Sequence, residues 1–194
     1  DAEINKIAFE KVRADKIREA KDGFDGSWVA HPDLVAICQE VFDGVLGTRI
    51  NQLDILRQEV KVSASDLLAV DKTPGQITQE GLRLNIDVSL QYLAAWIGGS
   101  GAVAIHNLME DAATVEISRS QIWQQVMNSV TYADTKNLAT KELVREILKS
   151  EAARLVSAGW DSEKIKAASA LFERVSLDDN YADFLTLPAL EMID

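Results

Sequence analysis

A single short apolar run, Ser27-Trp28-Val29-Ala30, lies between two stretches whose apolar residues recur at helical spacing. The first stretch covers residues 3–20, and the second, which Asp33 is placed to cap, continues to residue 42. The run itself has the apolar character of a buried strand. Residues 1–45 therefore predict a helix, a strand and a helix.

One strand of this kind cannot pair its backbone groups without neighbouring strands. A strand bracketed by helices is the repeating unit of an α/β barrel or of an open α/β sheet. We therefore expect the other strands to precede Asp1, so that the chain is the C-terminal portion of a longer protein. Residues 1–45 would then be the terminal segment of that sheet or barrel.

From residue 46 onward the sequence predicts helices alone. Ser63 opens a short helix, and residues 78–80 begin a long one that the glycines of residues 98–101 end. Further helices are predicted over residues 111–130, 141–158 and 162–175. Because the loops between them are short, these helices should pack as neighbours. Residues 46–194 thus predict an all-helical domain, and the chain as a whole is predicted to be mainly α.

Charge and composition disfavour several functions. The chain has 20 Lys and Arg against 31 Asp and Glu, a formal net charge of −11 at pH 7, and no basic stripe that would attract nucleic acid. Cys38 is the only cysteine, which excludes an intramolecular disulfide, and its apolar neighbours predict a buried structural residue. No apolar run approaches the roughly 20 residues that cross a bilayer. We expect a soluble, cytoplasmic protein with no nucleic-acid or membrane partner.

Two adjacent carboxylates, Glu110 and Asp111, lie in an otherwise apolar stretch at a predicted helix start. On the residues alone, two interpretations remain open. Either carboxylate can supply negative charge and hydrogen-bond acceptors to the first helical turn. Alternatively, a carboxylate at the edge of the helix faces a cleft and acts as a general base. His31 and His106 have no neighbouring Cys or His and are predicted to be packed or surface residues instead of metal ligands.

The same stretch carries a family resemblance. Residues 107–119, Asn-Leu-Met-Glu-Asp-Ala-Ala-Thr-Val-Glu-Ile-Ser-Arg, closely resemble the C-terminal segment of malate synthases. Further blocks resemble that family in the same order along the chain, at residues 22–34, 81–86, 91–96 and 181–188. The resemblance implies a (β/α)8 TIM barrel upstream, completed here by its last helix-strand-helix segment, and a C-terminal helical plug that closes over the barrel mouth.

The resemblance also implies a reaction and its residues. Malate synthases condense acetyl-CoA with glyoxylate and water to give malate and CoA in the glyoxylate cycle. Asp111 matches the aspartate that removes a proton from the acetyl methyl group. Pro32 matches a position that lines the adenine pocket for acetyl-CoA, and Met109 matches one near the thioester arm. The alternative roles of these two residues are a helix N-terminal proline and a core methionine.

The family's Mg²⁺ is held by two barrel carboxylates, and a barrel arginine assists the enolate. The resemblance places those groups on strands upstream of Asp1, so no metal ligand is expected in this chain. We therefore expect the 194 residues to be inactive alone and to need the missing barrel portion. A non-catalytic helical interaction module, in which Asp111 is only a helix cap, is the alternative function. Related CoA-ester lyases on a similar barrel are a further alternative, which the helical plug disfavours.

Overall fold

The computed structural model describes residues 2–193, which form two compact units. The first unit ends at Thr73 and the second begins at Pro74. This division lies later in the chain than the predicted boundary between residues 45 and 46, and the domain assignment itself stays a prediction. Both units are mainly helical, as the sequence predicts. Within residues 2–193, the helices are too short or too polar to cross a membrane.

The first unit is built on two helices, α1 (Ala2–Lys21) and α2 (Val35–Leu46). They pack through a small cluster in which Ala20 of α1 is buried against Val41 and Phe42 of α2. On the exposed side, the guanidinium of Arg13 donates two hydrogen bonds of 2.8 Å to the carboxylate of Glu40. Cys38 is buried on α2, which confirms the prediction for this residue.

Residues 27–30 form no strand, and the predicted helix-strand-helix order is wrong at this point. Trp28 is 80% exposed, although the prediction treated this run as buried. A strand needs a neighbouring strand to pair its backbone N–H and C=O groups, and no strand within residues 2–193 pairs with this run. The cap prediction for Asp33 is also wrong. His31 caps a short 3-10 helix (Pro32–Leu34) that precedes α2, because its Nδ1 accepts the Asp33 N–H at 3.1 Å.

The rest of the first unit is mostly irregular. The buried Gln52 side chain holds it to the helices by donating to the carbonyls of Ala20 at 2.9 Å and Phe24 at 2.6 Å. The predicted short helix is present as α3 (Ala64–Leu67). Its capping box is complete, because Ser63 and Asp66 each accept the backbone N–H of the other. A second 3-10 helix covers Val70–Lys72.

The second unit contains four long helices, with α4 in contact with each of the other three. Its helices are α4 (Gln79–Ile97), α5 (Ala112–Met127), α6 (Lys141–Ser157), α7 (Ser162–Leu177) and the short α8 (Thr186–Leu190). Apolar residues at helical spacing along α4 lie in the core, since Leu82, Ile86, Leu90 and Leu93 are at most 1% exposed. A two-stranded antiparallel hairpin, β1 (Val103–Ile105) and β2 (Leu108–Glu110), connects α4 to α5 and was not predicted.

Side-chain caps explain why the helix starts were predictable. Each of the four long helices begins after a residue whose side chain accepts a backbone N–H of the first turn: Thr78, Asp111, Thr140 and Asp161. Asp134 adds a second cap to α4, because its carboxylate accepts the N–H groups of Gln79 and Glu80. These hydrogen bonds hold the pKa of Asp134 below its usual value.

Candidate functional site

Asp111 lies where the β1–β2 hairpin passes into α5. The two residues of the hairpin turn, His106 and Asn107, have φ values of +48° and +64°. Left-handed backbone at both turn positions is the geometry that matches the twist of a two-residue hairpin. The last pair of the hairpin joins Val103 of β1 to Glu110 of β2. Asp111 follows with extended backbone, φ −130° and ψ −174°. The hairpin therefore delivers Asp111 directly to the first turn of α5.

The two carboxylate oxygens of Asp111 have different surroundings. Oδ1 accepts the Ala113 N–H at 2.9 Å and caps α5. Oδ2 has no hydrogen-bond donor among residues 2–193, and the side chain is exposed. A carboxylate that is fixed through one oxygen and open at the other can accept a proton from a molecule placed against it. The negative charge of Asp111 also reaches Tyr92, whose pKa is raised mainly by burial and further by this charge.

The neighbouring carboxylate, Glu110, binds a side chain of α5 instead of a backbone N–H. It is half-buried, and its Oε2 accepts a hydrogen bond from the hydroxyl of Thr114, one turn into α5. Of the two carboxylates that the sequence offered as the helix cap, Asp111 is therefore the cap. The interpretation of Asp111 as a general base stays a prediction, and it is compatible with this capping geometry.

Two of the three sequence-predicted site residues lie at the hairpin–helix junction. Met109 and Asp111 are separated by one residue at the hairpin–helix junction, and the Met109 side chain is 50% exposed. It is not a core methionine, contrary to the alternative that the sequence left open. Pro32 belongs to the first compact unit, where it is exposed at the first position of the 3-10 helix Pro32–Leu34. That position suits a residue with no N–H to donate.

A cluster of charged residues beside the hairpin was not predicted. We call it the Asp87 cluster, and it comprises two buried carboxylates and the side chains that bind them: Asp87, Glu151, Arg83, Gln91, His106 and Arg154. Asp87 and Glu151 are 5% and 3% exposed. The sequence carried a partial signal, because Asp87 falls next to Ile86 on the apolar side of α4. Helical spacing alone could not identify the basic side chain that balances the charge of Asp87.

The buried Arg119 is the second feature that sequence reasoning missed. Its guanidinium makes a two-pronged hydrogen bond to Glu116, with distances of 2.8 and 3.0 Å, and donates to the Ala182 carbonyl at 2.7 Å. It also lies 4.1 Å from the ring centroid of Tyr181. This arrangement fastens residues 181–185 to α5, and the same residues contribute to an open cavity of about 810 Å³ beside α4.

The described residues do not fit a metal site. No group of three or more His, Cys, Asp or Glu side chains within residues 2–193 is placed to hold a metal ion. The two buried carboxylates of the Asp87 cluster are already satisfied by arginine, since Arg154 donates to both and Arg83 donates to Glu151. Carboxylates that are neutralised by guanidinium groups are poor ligands for a hard divalent cation.

Comparisons with known proteins agree with the resemblance. One family model, the C-terminal part of malate synthase, matches residues 76–193, and a second, the malate synthase TIM barrel domain, matches residues 1–70. Over its whole length the chain is 51% identical to a malate synthase of Streptomyces clavuligerus, 44% to one of Myxococcus xanthus and 42% to malate synthase A of Escherichia coli. The chain spans only 36–37% of the length of these relatives. Because the first model covers more than half of it, the chain belongs to the malate synthase family.

Proposed function

We propose that this chain supplies the general base for the condensation of acetyl-CoA with glyoxylate, and that Asp111 is that base. The observation that carries the proposal is the geometry of its carboxylate. Oδ1 is held by the Ala113 N–H, whereas Oδ2 is open and exposed at the hairpin–helix junction. A general base needs a fixed position within hydrogen-bond reach of the proton that it removes.

In the proposed reaction Oδ2 of Asp111 takes a proton from the methyl group of acetyl-CoA. The electrons of the broken C–H bond form the enolate, whose carbon attacks the aldehyde carbon of glyoxylate and makes the new C–C bond. The electrons of the C=O π bond move to the aldehyde oxygen, which takes up a proton and becomes the hydroxyl group of the malyl thioester. Water then hydrolyses the malyl thioester to malate and CoA. The thioester α-proton is only weakly acidic, so the rate depends on the placement of the base and on donors that stabilise the enolate oxygen. This activity would place the protein in the glyoxylate cycle.

Two further residues are proposed to contact acetyl-CoA. Met109 is half-exposed and separated from Asp111 by a single residue, which suits contact with the thioester arm. Pro32 is exposed and is proposed to line the adenine pocket, as the resemblance implies. A thioether and a proline ring both offer apolar surface without a competing hydrogen-bond donor.

We also propose that the 194 residues are inactive alone. The chain spans 36% of the Streptomyces clavuligerus relative, and the Mg²⁺ that the family implies does not fit the described residues. The metal ligands and the arginine that assists the enolate are proposed to belong to the barrel portion. The helical unit is proposed to act as a plug on that barrel, in the cytoplasm.

The test uses a full-length chimera in which these 194 residues replace the matching segment of the Streptomyces clavuligerus protein. Thiol release from acetyl-CoA, glyoxylate and Mg²⁺ is compared for the parent chimera, Asp111→Asn and Glu110→Gln. Asparagine caps a helix as well as aspartate does but cannot accept the proton. We expect Asp111→Asn to lower kcat by about 10²–10⁴-fold with unchanged folding, which is the usual contribution of a general base.

Glu110→Gln is the matched control, because it removes the adjacent charge and keeps a side chain that can accept from Thr114. Its kcat should stay within a few-fold of the parent chimera. Equal activity of Asp111→Asn and an active parent would show that Asp111 is only a cap and that another group is the base. An inactive parent chimera is the expectation for the interaction-module alternative. Glyoxylate-dependent thiol release by the isolated 194 residues would contradict the proposal that the chain is inactive alone.

A further inference from the structure

We infer that His106 and Asp87 are positioning residues, which hold the β1–β2 hairpin and thereby the Asp111 carboxylate. The inference rests on the proposed role of Asp111 as the base. Its starting point is the contact between His106 Nε2 and Asp87 Oδ2, at 2.5 Å. Because an ionised carboxylate only accepts hydrogen bonds, the histidine nitrogen is the donor. The contact joins the hairpin turn to the middle of α4.

The hairpin needs such an anchor. It has two strands of three residues each, and a hairpin of this size is at best marginally stable by itself. Ile105 anchors one of its faces, being 2% exposed, whereas Leu108 and Met109 on the second strand are 63% and 50% exposed. Within residues 2–193, the hydrogen bond of His106 is the one that links a side chain of the turn to a helix.

Asp87 is a rigid point of attachment. Its Oδ1 accepts from Gln91 at 2.9 Å and from the guanidinium of Arg154 on α6. Arg154 is itself held by Glu151, at 2.6 Å. With partners on both oxygens and 5% exposure, the Asp87 carboxylate cannot rotate without leaving a buried oxygen unpaired, which is costly.

Movement at the turn would be transmitted to the proposed base. Asp111 follows His106 by five positions along an extended strand, and its cap bond to Ala113 belongs to the same chain segment. Loss of the His106 hydrogen bond would leave Asp87 Oδ2 without a donor among residues 2–193 and would release the turn from α4. A displacement of about 1 Å in a catalytic group can reduce a rate by about 10²-fold.

The experiment uses the same full-length chimera with His106→Ala, His106→Gln and Asp87→Asn. The glutamine amide can donate from about the same distance as His106 Nε2. Two quantities are measured, kcat for thiol release and the deuterium isotope effect with methyl-deuterated acetyl-CoA. Arg145→Ala is the control, because it removes an exposed charge of α6 that pairs with Glu173 on α7.

We expect His106→Ala to lower kcat by about 10-fold to 100-fold and to raise the isotope effect, because a misplaced base makes proton removal more rate-limiting. His106→Gln should restore most of the rate, Asp87→Asn should lower it, and Arg145→Ala should change neither quantity. A loss of kcat that is fully accounted for by a smaller folded fraction, measured by circular dichroism, would overturn the inference. So would an unchanged kcat in His106→Ala.

The two proposals fail in distinguishable ways. An active Asp111→Asn variant contradicts the proposed base, whereas an inactive Asp111→Asn variant with a fully active His106→Ala variant contradicts the positioning role alone. Amide hydrogen exchange across residues 108–111 of the same chimera gives a measurement independent of turnover. Exchange should be faster in His106→Ala than in Arg145→Ala, and equal exchange would refute the link between the turn and the Asp111 segment.

Discussion

Replacing Arg119 with methionine should destabilise the second unit more than any comparable change on its surface. Arg119 is 1% exposed, and its guanidinium has three kinds of partner. It makes two hydrogen bonds to Glu116, donates at 2.7 Å to the Ala182 carbonyl, and lies over the ring of Tyr181. Methionine preserves most of the apolar stem of the side chain, so the variant isolates the loss of the charged group.

The magnitude follows from these contacts. Breaking a buried ion pair by removing one partner costs about 3–5 kcal/mol, because the remaining charge is left unpaired. The Glu116 side chain is 29% exposed and also accepts the Leu185 N–H at 2.5 Å, so water and that donor compensate in part. The lower end of the range applies, and we expect the free energy of unfolding to fall by about 3 kcal/mol.

Urea unfolding followed by circular dichroism tests the Arg119 prediction. With a urea dependence of about 1–3 kcal/mol per molar, a loss of 3 kcal/mol moves the midpoint by about 1–3 M. The control is Arg145→Met, whose exposed pair with Glu173 should contribute less than about 1 kcal/mol. Residues 178–185 should also become sensitive to protease in Arg119→Met. Equal midpoints for the two variants would refute the view that Arg119 fastens this segment to α5.

Two further predictions concern buried hydroxyl groups. Burial, with a smaller contribution from Asp134, raises the pKa of Tyr132 from 10.0 to about 12, so between these pH values the unfolded state loses a proton that the folded state retains. The free energy of unfolding should fall over that interval in pH-dependent urea titrations, and this dependence should be absent in Tyr132→Phe. Ser176→Ala should raise the free energy of unfolding by about 1 kcal/mol, because its buried hydroxyl has no partner among the described residues. Ser169→Ala on the same helix should give no gain in the same assay, since that hydroxyl donates to Ile165.

The helix starts of the second unit were predictable because their causes are local. A threonine or aspartate followed by an apolar periodic stretch places the cap and the first turn within a few residues of each other. The structure begins α4 after Thr78 and α5 after Asp111, as the pattern indicates. The end of α5 is less well predicted, at Met127 instead of residue 130, because no glycine or proline marks it.

The hairpin and the strand error have a common explanation. A strand is defined by its partner, and the partner is not encoded in the strand's own residues. Residues 27–30 have strand character without a partner among residues 2–193, whereas the short β1 and β2 pair through a turn of His106 and Asn107. That turn lacks the glycine that usually signals a two-residue hairpin, so the sequence offered little to detect it.

The charged clusters depend on contacts that are distant in sequence. Asp87 and Arg154 are 67 positions apart, and Arg119 and Ala182 are 63 apart. Helical spacing shows which face of a helix a charged residue occupies, but not which side chain meets it from another helix. These pairs are therefore visible in the packed structure alone. The first pair fixes Asp87, which binds the hairpin turn through His106, and the second fastens residues 181–185 to α5.

The two interpretations that the sequence left open for Asp111 concern different oxygens of one carboxylate. Capping uses Oδ1, and proton removal would use Oδ2. Asp111→Asn keeps the cap and removes the base, whereas Asp111→Ala removes both and should cost about 1 kcal/mol of stability in addition. The difference in the free energy of unfolding between the two variants measures what the cap contributes to stability. The loss of activity that they share measures what the base contributes to the rate. If both variants lost stability equally while activity persisted, neither role could be assigned to this carboxylate.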